Sequence, residues 1–171
     1  MRADRDRAAE VIAAWQVELP EVLHPTSELT KRVLLLAAEL QEATRRELPR
    51  YGLTPAQFDV LAALLRSGAP YQVKPSELSR SLLLSSGGTT NVLNHLHRQG
   101  MVERLPDPED GRSTLIRLTP AGAALARDAV RATAAAHVEL WAGASAEVVE
   151  TATGALREVS RPVEAARRYR G

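Results

Sequence analysis

The sequence predicts a mainly α-helical chain carrying one small β-hairpin, an α+β arrangement. Three observations predict it. Apolar residues recur at helical spacing, as in Leu29, Val33, Leu36 and Leu40, the stripe a helix needs to pack against another helix. Thr54-Pro55 and Thr119-Pro120 each place a capping residue before a proline, and proline is preorganised for the first helical position. Only between Met101 and Leu118 does the pattern shorten to that of strands, in MVERL and TLIRL around the turn-rich tip PDPEDGRS. With aromatics at 4%, Ala and Leu must do most of the packing, which favours helices.

The elements follow in order. Residues from about Ala3 to Leu19 read as an amphipathic helix with Val11, Ile12 and Trp15 on one side, stopped by Pro20. A linker through His24 and Pro25 leads to a helix from Ser27 to about Leu48, ended by Pro49. Thr54-Pro55-Ala56-Gln57 predicts a capping-box start to a third helix, with Phe58, Leu61 and Leu65 facing inward and Ser67-Gly68 closing it. Pro75 opens the brief helix PSELSRSL, whose Leu78 and Leu82 are four apart. The next segment, SSGGTTNVLNHLHRQG, starts with the capping serines Ser85 and Ser86 and stops at Gly100, with Val92, Leu93 and Leu96 inward. After the hairpin, an Ala-rich helix runs from Pro120 to about Trp141. A last helix, from about Ala146 to Arg168, carries Val148, Val149, Ala152, Leu156 and Val159.

Composition removes several classes of function. The chain has no cysteine, so disulfides, thiolate metal sites, catalytic thiols and cysteine-based redox sensing are excluded. No run approaches the roughly 20 apolar residues of a membrane span, and the charged start MRADRDRAAE does not read as a signal peptide; a cytoplasmic location without membrane partners is expected. No GxSxG, HExxH or phosphate loop is present, so neither an enzyme nor a catalytic residue is expected, and no cofactor. His95 and His97 stand two apart, where helical side chains diverge, so metal ligation is not expected either. His137, on an Ala-rich helix, reads as a packing or interface residue, as do Trp15, Tyr51, Tyr71 and Trp141.

What remains is the pair of helices at residues 75–98. A short helix, a tight turn and a second helix with a polar outer face is the helix-turn-helix arrangement, whose second helix lies in the DNA major groove. Thr89, Thr90, Asn91, Asn94, His95 and Arg98 would form that outer face, and no acidic residue occurs between Ser85 and Gln99. Hydroxyls, amides and a guanidinium can approach base edges and phosphates without repelling the duplex, whereas a merely solvated face usually carries Glu and Lys pairs. The helix start at Ser86-Gly87-Gly88 is expected to offer backbone amides to a phosphate. The formal net charge is only +1, so the argument rests on where charges sit. Between Lys74 and Arg117 six cations face five acids, and a single protomer is expected to bind modestly. The competing reading is a protein-interaction or small-molecule-sensing module built on the same scaffold without strong DNA binding.

The segment SSGGTTNVLNHLHRQGMVER, with Ser86, Gly87, Thr90, Asn91, Leu96, Gly100, Val102 and Arg104 at motif positions, and DGRSTLIRLTPAG from Asp110 to Gly122, resembles the MarR family of winged helix-turn-helix regulators. The resemblance extends from about Ser27 to the C-terminus. Val92 and His95 depart from it where many relatives carry Arg, and Asn94 replaces a frequent Asp. It implies a winged helix-turn-helix with flanking dimerisation helices: an N-terminal extension over 1–26, a dimerisation helix over 27–52, a DNA-binding lobe over 53–119 and C-terminal dimerisation helices over 120–171. It further implies a ligand-responsive repressor that binds double-stranded DNA at a palindromic operator as a homodimer, and a small-molecule effector, anionic or phenolic, at a site the sequence does not locate. Arg112 is implied as the wing-tip residue of the minor groove, with Ser113 beside it on the DNA and Asp110 holding the wing turn.

Overall fold

The computed structural model describes residues 6–82, 86–108, 110 and 113–168. The chain divides into two compact units, residues 1–137 and 138–171. The first unit begins with helix α1 (Arg7–Glu18), whose N-cap Asp6 accepts from the Ala9 amide at 3.1 Å. Helix α2 (Ser27–Glu47) lies against it. The Arg32 guanidinium bridges Asp6 at 2.7 Å and Glu28 at 2.7 Å, and this partner holds the Asp6 carboxyl below its ordinary range.

Helix α3 (Pro55–Arg66) opens on the expected capping box: the Gln57 amide donates to Thr54 Oγ1 at 3.3 Å, and Gln57 Oε1 accepts from the Thr54 amide at 2.8 Å. Its buried stripe is Val60, Leu61 and Leu64, while Phe58 and Leu65, expected inside, are half-buried. Strand β1 (Gln72–Val73), helix α4 (Pro75–Leu82), helix α5 (Ser86–Arg98) and strands β2 (Val102–Pro106) and β3 (Thr114–Leu118) follow. The strands form an antiparallel sheet in the order β1-β3-β2, with Val102 opposite Leu118, Pro106 opposite Thr114 and Gln72 opposite Arg117. The hairpin expectation therefore lacked a strand. Two residues cannot display a period, and β1 is set by what precedes it: Tyr71 takes φ +61° and its carbonyl accepts from the Leu118 amide at 3.1 Å.

Helix α6 (Pro120–Trp141) starts beneath the sheet. Thr119 Oγ1 donates to the Gly100 carbonyl at 2.7 Å and accepts from the Gly122 amide at 3.0 Å. Gly122 is required where it stands, because a Cβ there would overlap the Met101 carbonyl. Leu48, Val60, Leu61, Leu64, Leu78, Leu93, Leu96, Val102, Ile116 and Ala126 close one core beneath the sheet and helices. His137, near the end of α6, brings Nε2 to 2.9 Å from Thr44 Oγ1 and 3.2 Å from the Leu40 carbonyl, tying α6 to α2.

Apolar side chains left on the surface concentrate on the long helices. Leu29, Val33, Leu34 and Leu36 of α2 are exposed, as is Trp15 of α1, so Trp15 does not fill a core within one chain. In the second unit, helix α7 (Ala146–Arg168) continues through Pro162 and exposes Val148, Val149, Leu156, Val159 and Val163. Among the described residues no helix is long and apolar enough to cross a membrane.

Candidate nucleic-acid interface

Helices α4 and α5 are joined below their exposed sides by apolar and polar contacts. Leu78 packs with Leu93 and Leu96 in the core, and the Ser79 hydroxyl donates to Thr89 Oγ1 at 2.9 Å. Thr89 is 1% exposed, which corrects the expectation that it belongs to the outer face. Thr89, Leu93 and Leu96 recur at helical spacing, so Thr89 occupies the inward stripe, where its methyl packs and its hydroxyl finds a partner.

The opposite side of α5 presents Gly87, Gly88, Thr90, Asn91, Asn94, His95 and Arg98, all exposed. Residues 87, 90/91, 94 and 98 repeat at three and four, so they line one stripe. None is acidic. Ser86 belongs to the first turn of α5, while Ser85 lies outside the described residues. His97 turns from this face toward the sheet. Its Nδ1 is 3.1 Å from the Val102 carbonyl, and because a carbonyl only accepts, Nδ1 carries the proton.

One contact on this face has no counterpart in the sequence reading. A guanidinium nitrogen of Arg104, on β2, donates to Asn94 Oδ1 at 2.8 Å, and Arg98 Nε donates to the Asn94 backbone carbonyl at 3.4 Å. Arg104 registered in the sequence only as a motif match. Its ten-residue separation from Asn94 spans a helix end and a strand start, so periodicity could not pair them.

The wing base is held by an ion pair. Lys74, the residue before α4, sits with Nζ 2.8 Å from Asp107 Oδ2, just beyond β2. Asp107 is 4% exposed, and its carboxylate pushes the Lys74 pKa up. The Asp107 amide donates to the Ser113 carbonyl at 3.0 Å, and the Ser113 amide to the Asp110 carbonyl at 2.8 Å. Ser113 is half-buried and Asp110 exposed. Arg112, expected at the wing tip, lies outside the described residues.

The charge balance of the lobe changes once partners are assigned. Glu103 is bound to the cross-strand Arg117 at 2.8 Å and Asp107 to Lys74. Arg80, Arg98 and Arg104 have no carboxylate partner among the described residues, so a near-neutral segment presents unneutralised cations around α5. Beside the sheet, Pro70, Tyr71, Arg117, Leu118, Ala123 and Arg127 are among the residues lining a pocket of about 480 Å³. Arg127 of α6 donates to the Tyr71 hydroxyl at 3.1 Å, its guanidinium 5.5 Å from the centre of that ring. Among the described residues no group of three or more His, Asp or Glu could hold a metal ion.

The model of the MarR family matches residues 51–113, the stretch that carries α3 to the wing. The HTH-type transcriptional regulator PecS of Dickeya dadantii is 32% identical over 120 residues, covering 68% of this chain and 70% of that protein. The chain belongs to the MarR family. Its MarR relative from Salmonella typhimurium, the multiple antibiotic resistance protein, is 34% identical over 108 residues, covering 63% of this chain and 73% of that one. The crystal structure of a mutant MarR from E. coli complexed with operator DNA superposes with a TM-score of 0.66 at 28% identity, over 80% of this chain and 99% of that one. The chain is thus a MarR-family transcriptional regulator, not an enzyme, with the mostly helical winged-helix fold and small antiparallel sheet that the sequence predicted apart from β1.

Proposed function

We propose that this MarR-family chain is a ligand-responsive repressor that binds a palindromic operator as a homodimer, with α5 of each protomer in successive major grooves. The observation that carries the reading is the exposed stripe of α5: Thr90, Asn91, Asn94 and Arg98 along one side, with His95 beside them and no acid. Asn91 makes no side-chain hydrogen bond among the described residues, so both its amide groups are free for a base edge. Ser85, Ser86 and Gly87 at the helix start serve a phosphate, and Arg112 with Ser113 serves the minor groove at the wing. That a relative was crystallised on operator DNA supports the same use of the fold.

The homodimer is supported by the apolar side chains that one chain leaves exposed: Leu29, Val33 and Leu36 on α2, Leu140 and Trp141 on α6, Val149 and Leu156 on α7. Burying such a surface against a second copy removes it from water. In this division the helices at 27–52 and 120–171 serve to pair the protomers, residues 1–26 are an N-terminal helical extension, and 53–119 form the reading lobe. The effector is anionic or phenolic, and the pocket beside Tyr71 offers such a molecule apolar walls and the Arg127 guanidinium, while Arg117 on the same wall is held by Glu103. Binding there would shift the spacing of the two lobes away from one turn of DNA, roughly 34 Å. The reading places the protein in the cytoplasm.

Selection of bound duplexes from a randomised DNA pool, followed by titration at several salt concentrations, tests the proposal. The expected result is an inverted repeat with half-sites about 10 base pairs apart and an affinity that falls as salt rises. Retention of all sequences alike would overturn it.

A further inference from the structure

The Arg104–Asn94 contact limits what the α5 face can read. An Asn side chain ordinarily offers a base edge both an acceptor and two donors, which is why it can hold adenine through N6 and N7 together. Arg can only donate. The Asn94 atom 2.8 Å from the Arg104 guanidinium is therefore the carbonyl oxygen whichever way the amide is drawn, and the NH2 group is turned away from β2. Asn94 is exposed and lies one helical turn from Asn91 on the same stripe. Arg98 meanwhile folds back on the Asn94 backbone carbonyl.

We propose that Arg104 is a positioning residue that holds the Asn94 amide as a donor-only reader, so that at one position of each half-site the protein selects guanine over adenine and cytosine. Guanine offers two major-groove acceptors, N7 and O6, to the outward N–H groups. Cytosine presents only the N4 donor, which would face another donor. Adenine presents N6–H beside N7, and Oδ1, although it keeps a second lone pair, is turned by Arg104 toward β2 instead of toward N6. Asn91 keeps both functions and reads adenine in the two-bond manner. Arg104 thus acts on sequence preference through Asn94. An aspartate at position 94 would accept from Arg104 equally well but donate nothing.

This assignment rests on the operator reading above, and the two fail at different steps. The probe is the duplex selected by the wild-type protein, with each half-site position replaced in turn by the other three bases and affinity measured by fluorescence anisotropy. The expected wild-type result is one position preferring guanine about tenfold over adenine and cytosine, separate from the position read by Asn91. In Arg104→Ala the amide is released to rotate, and guanine and adenine should become equal within about twofold at that position alone, while Arg104→Lys, which keeps a donor, restores much of the preference. Asn94→Asp, which retains the Arg104 contact and hence the fold, should lose the guanine preference altogether. Uniform weakening on all sequences in Arg104→Ala, or an unchanged preference in Asn94→Asp, overturns the assignment while leaving operator binding intact. A wild-type protein without base preference overturns the operator reading and this assignment with it.

Discussion

The hydroxyls of Ser79 and Thr89 meet at 2.9 Å, joining α4 to α5 on the side hidden from solvent. Thr89→Val keeps the shape and removes the bond. Ser79 can then fall back on the Pro75 carbonyl, already 3.1 Å from it, so the loss should be about 1 kcal/mol of stability. DNA affinity should weaken alike on every sequence, since Thr89 touches no base. Urea denaturation and the base-substituted duplexes check both parts; a changed base preference would return Thr89 to the reading face.

Gly122 leaves no room for a side chain above the Met101 carbonyl. Gly122→Ala should force the start of α6 away from the sheet and cost roughly 1–3 kcal/mol, as overpacking does. Gly87→Ala provides the contrast, because nothing lies within 4 Å of a Cβ there. Thermal unfolding of the two variants side by side should show a lowered midpoint for position 122 and little change for position 87. Equal midpoints would contradict the close approach.

Asp59 titrates above the ordinary aspartate value of 3.8 because its carboxyl is partly shielded, although the residue as a whole remains exposed. In the window just above 3.8 the folded chain therefore holds more of this proton than the unfolded chain. The Asp59 contribution to stability accordingly declines as pH rises through that window. Asp59→Asn should remove the decline and raise the unfolding midpoint at neutral pH relative to wild type. Melting curves from acid to neutral pH decide it; parallel curves for the two proteins would mean that Asp59 carries no such penalty.

The proposed dimer predicts the behaviour of a charge placed on α7. Val149 is exposed in the single chain, so Val149→Asp should leave each chain folded while splitting the pair. Sedimentation should then give the mass of one chain, and operator affinity should fall by roughly 10²-fold or more as the second lobe ceases to be tethered. A wild-type protein sedimenting at a single-chain mass would remove the basis for this expectation.

Much of the lobe was legible because its signals are local. Thr54, Pro55 and Gln57 spell a helix start within four residues, and Gly100 a helix end. Strand β1 was not legible, since its two residues owe their conformation to Tyr71 and to β3, which lies more than forty residues on. Thr89 was misplaced for a different reason: a hydroxyl beside Thr90 and Asn91 reads as polar surface until its neighbour Ser79 is known. The charge count of the lobe came out near zero from sequence because adding charges ignores which acids are already bound, Glu103 by Arg117 and Asp107 by Lys74. For the same reason Asn94 looked like an unrestricted amide until Arg104 was seen against it.

The Lys74–Asp107 pair sits at the junction of the two parts that would meet DNA. Lys74 leads directly into α4 and Asp107 leads directly out of β2, so the major-groove rod and the root of the hairpin are bolted to a common frame. Any tilt that lifts one from the duplex must carry the other's base with it. On the proposed reading, release from DNA would need no separate signal for each groove, because a single rocking of the frame would loosen both grips together.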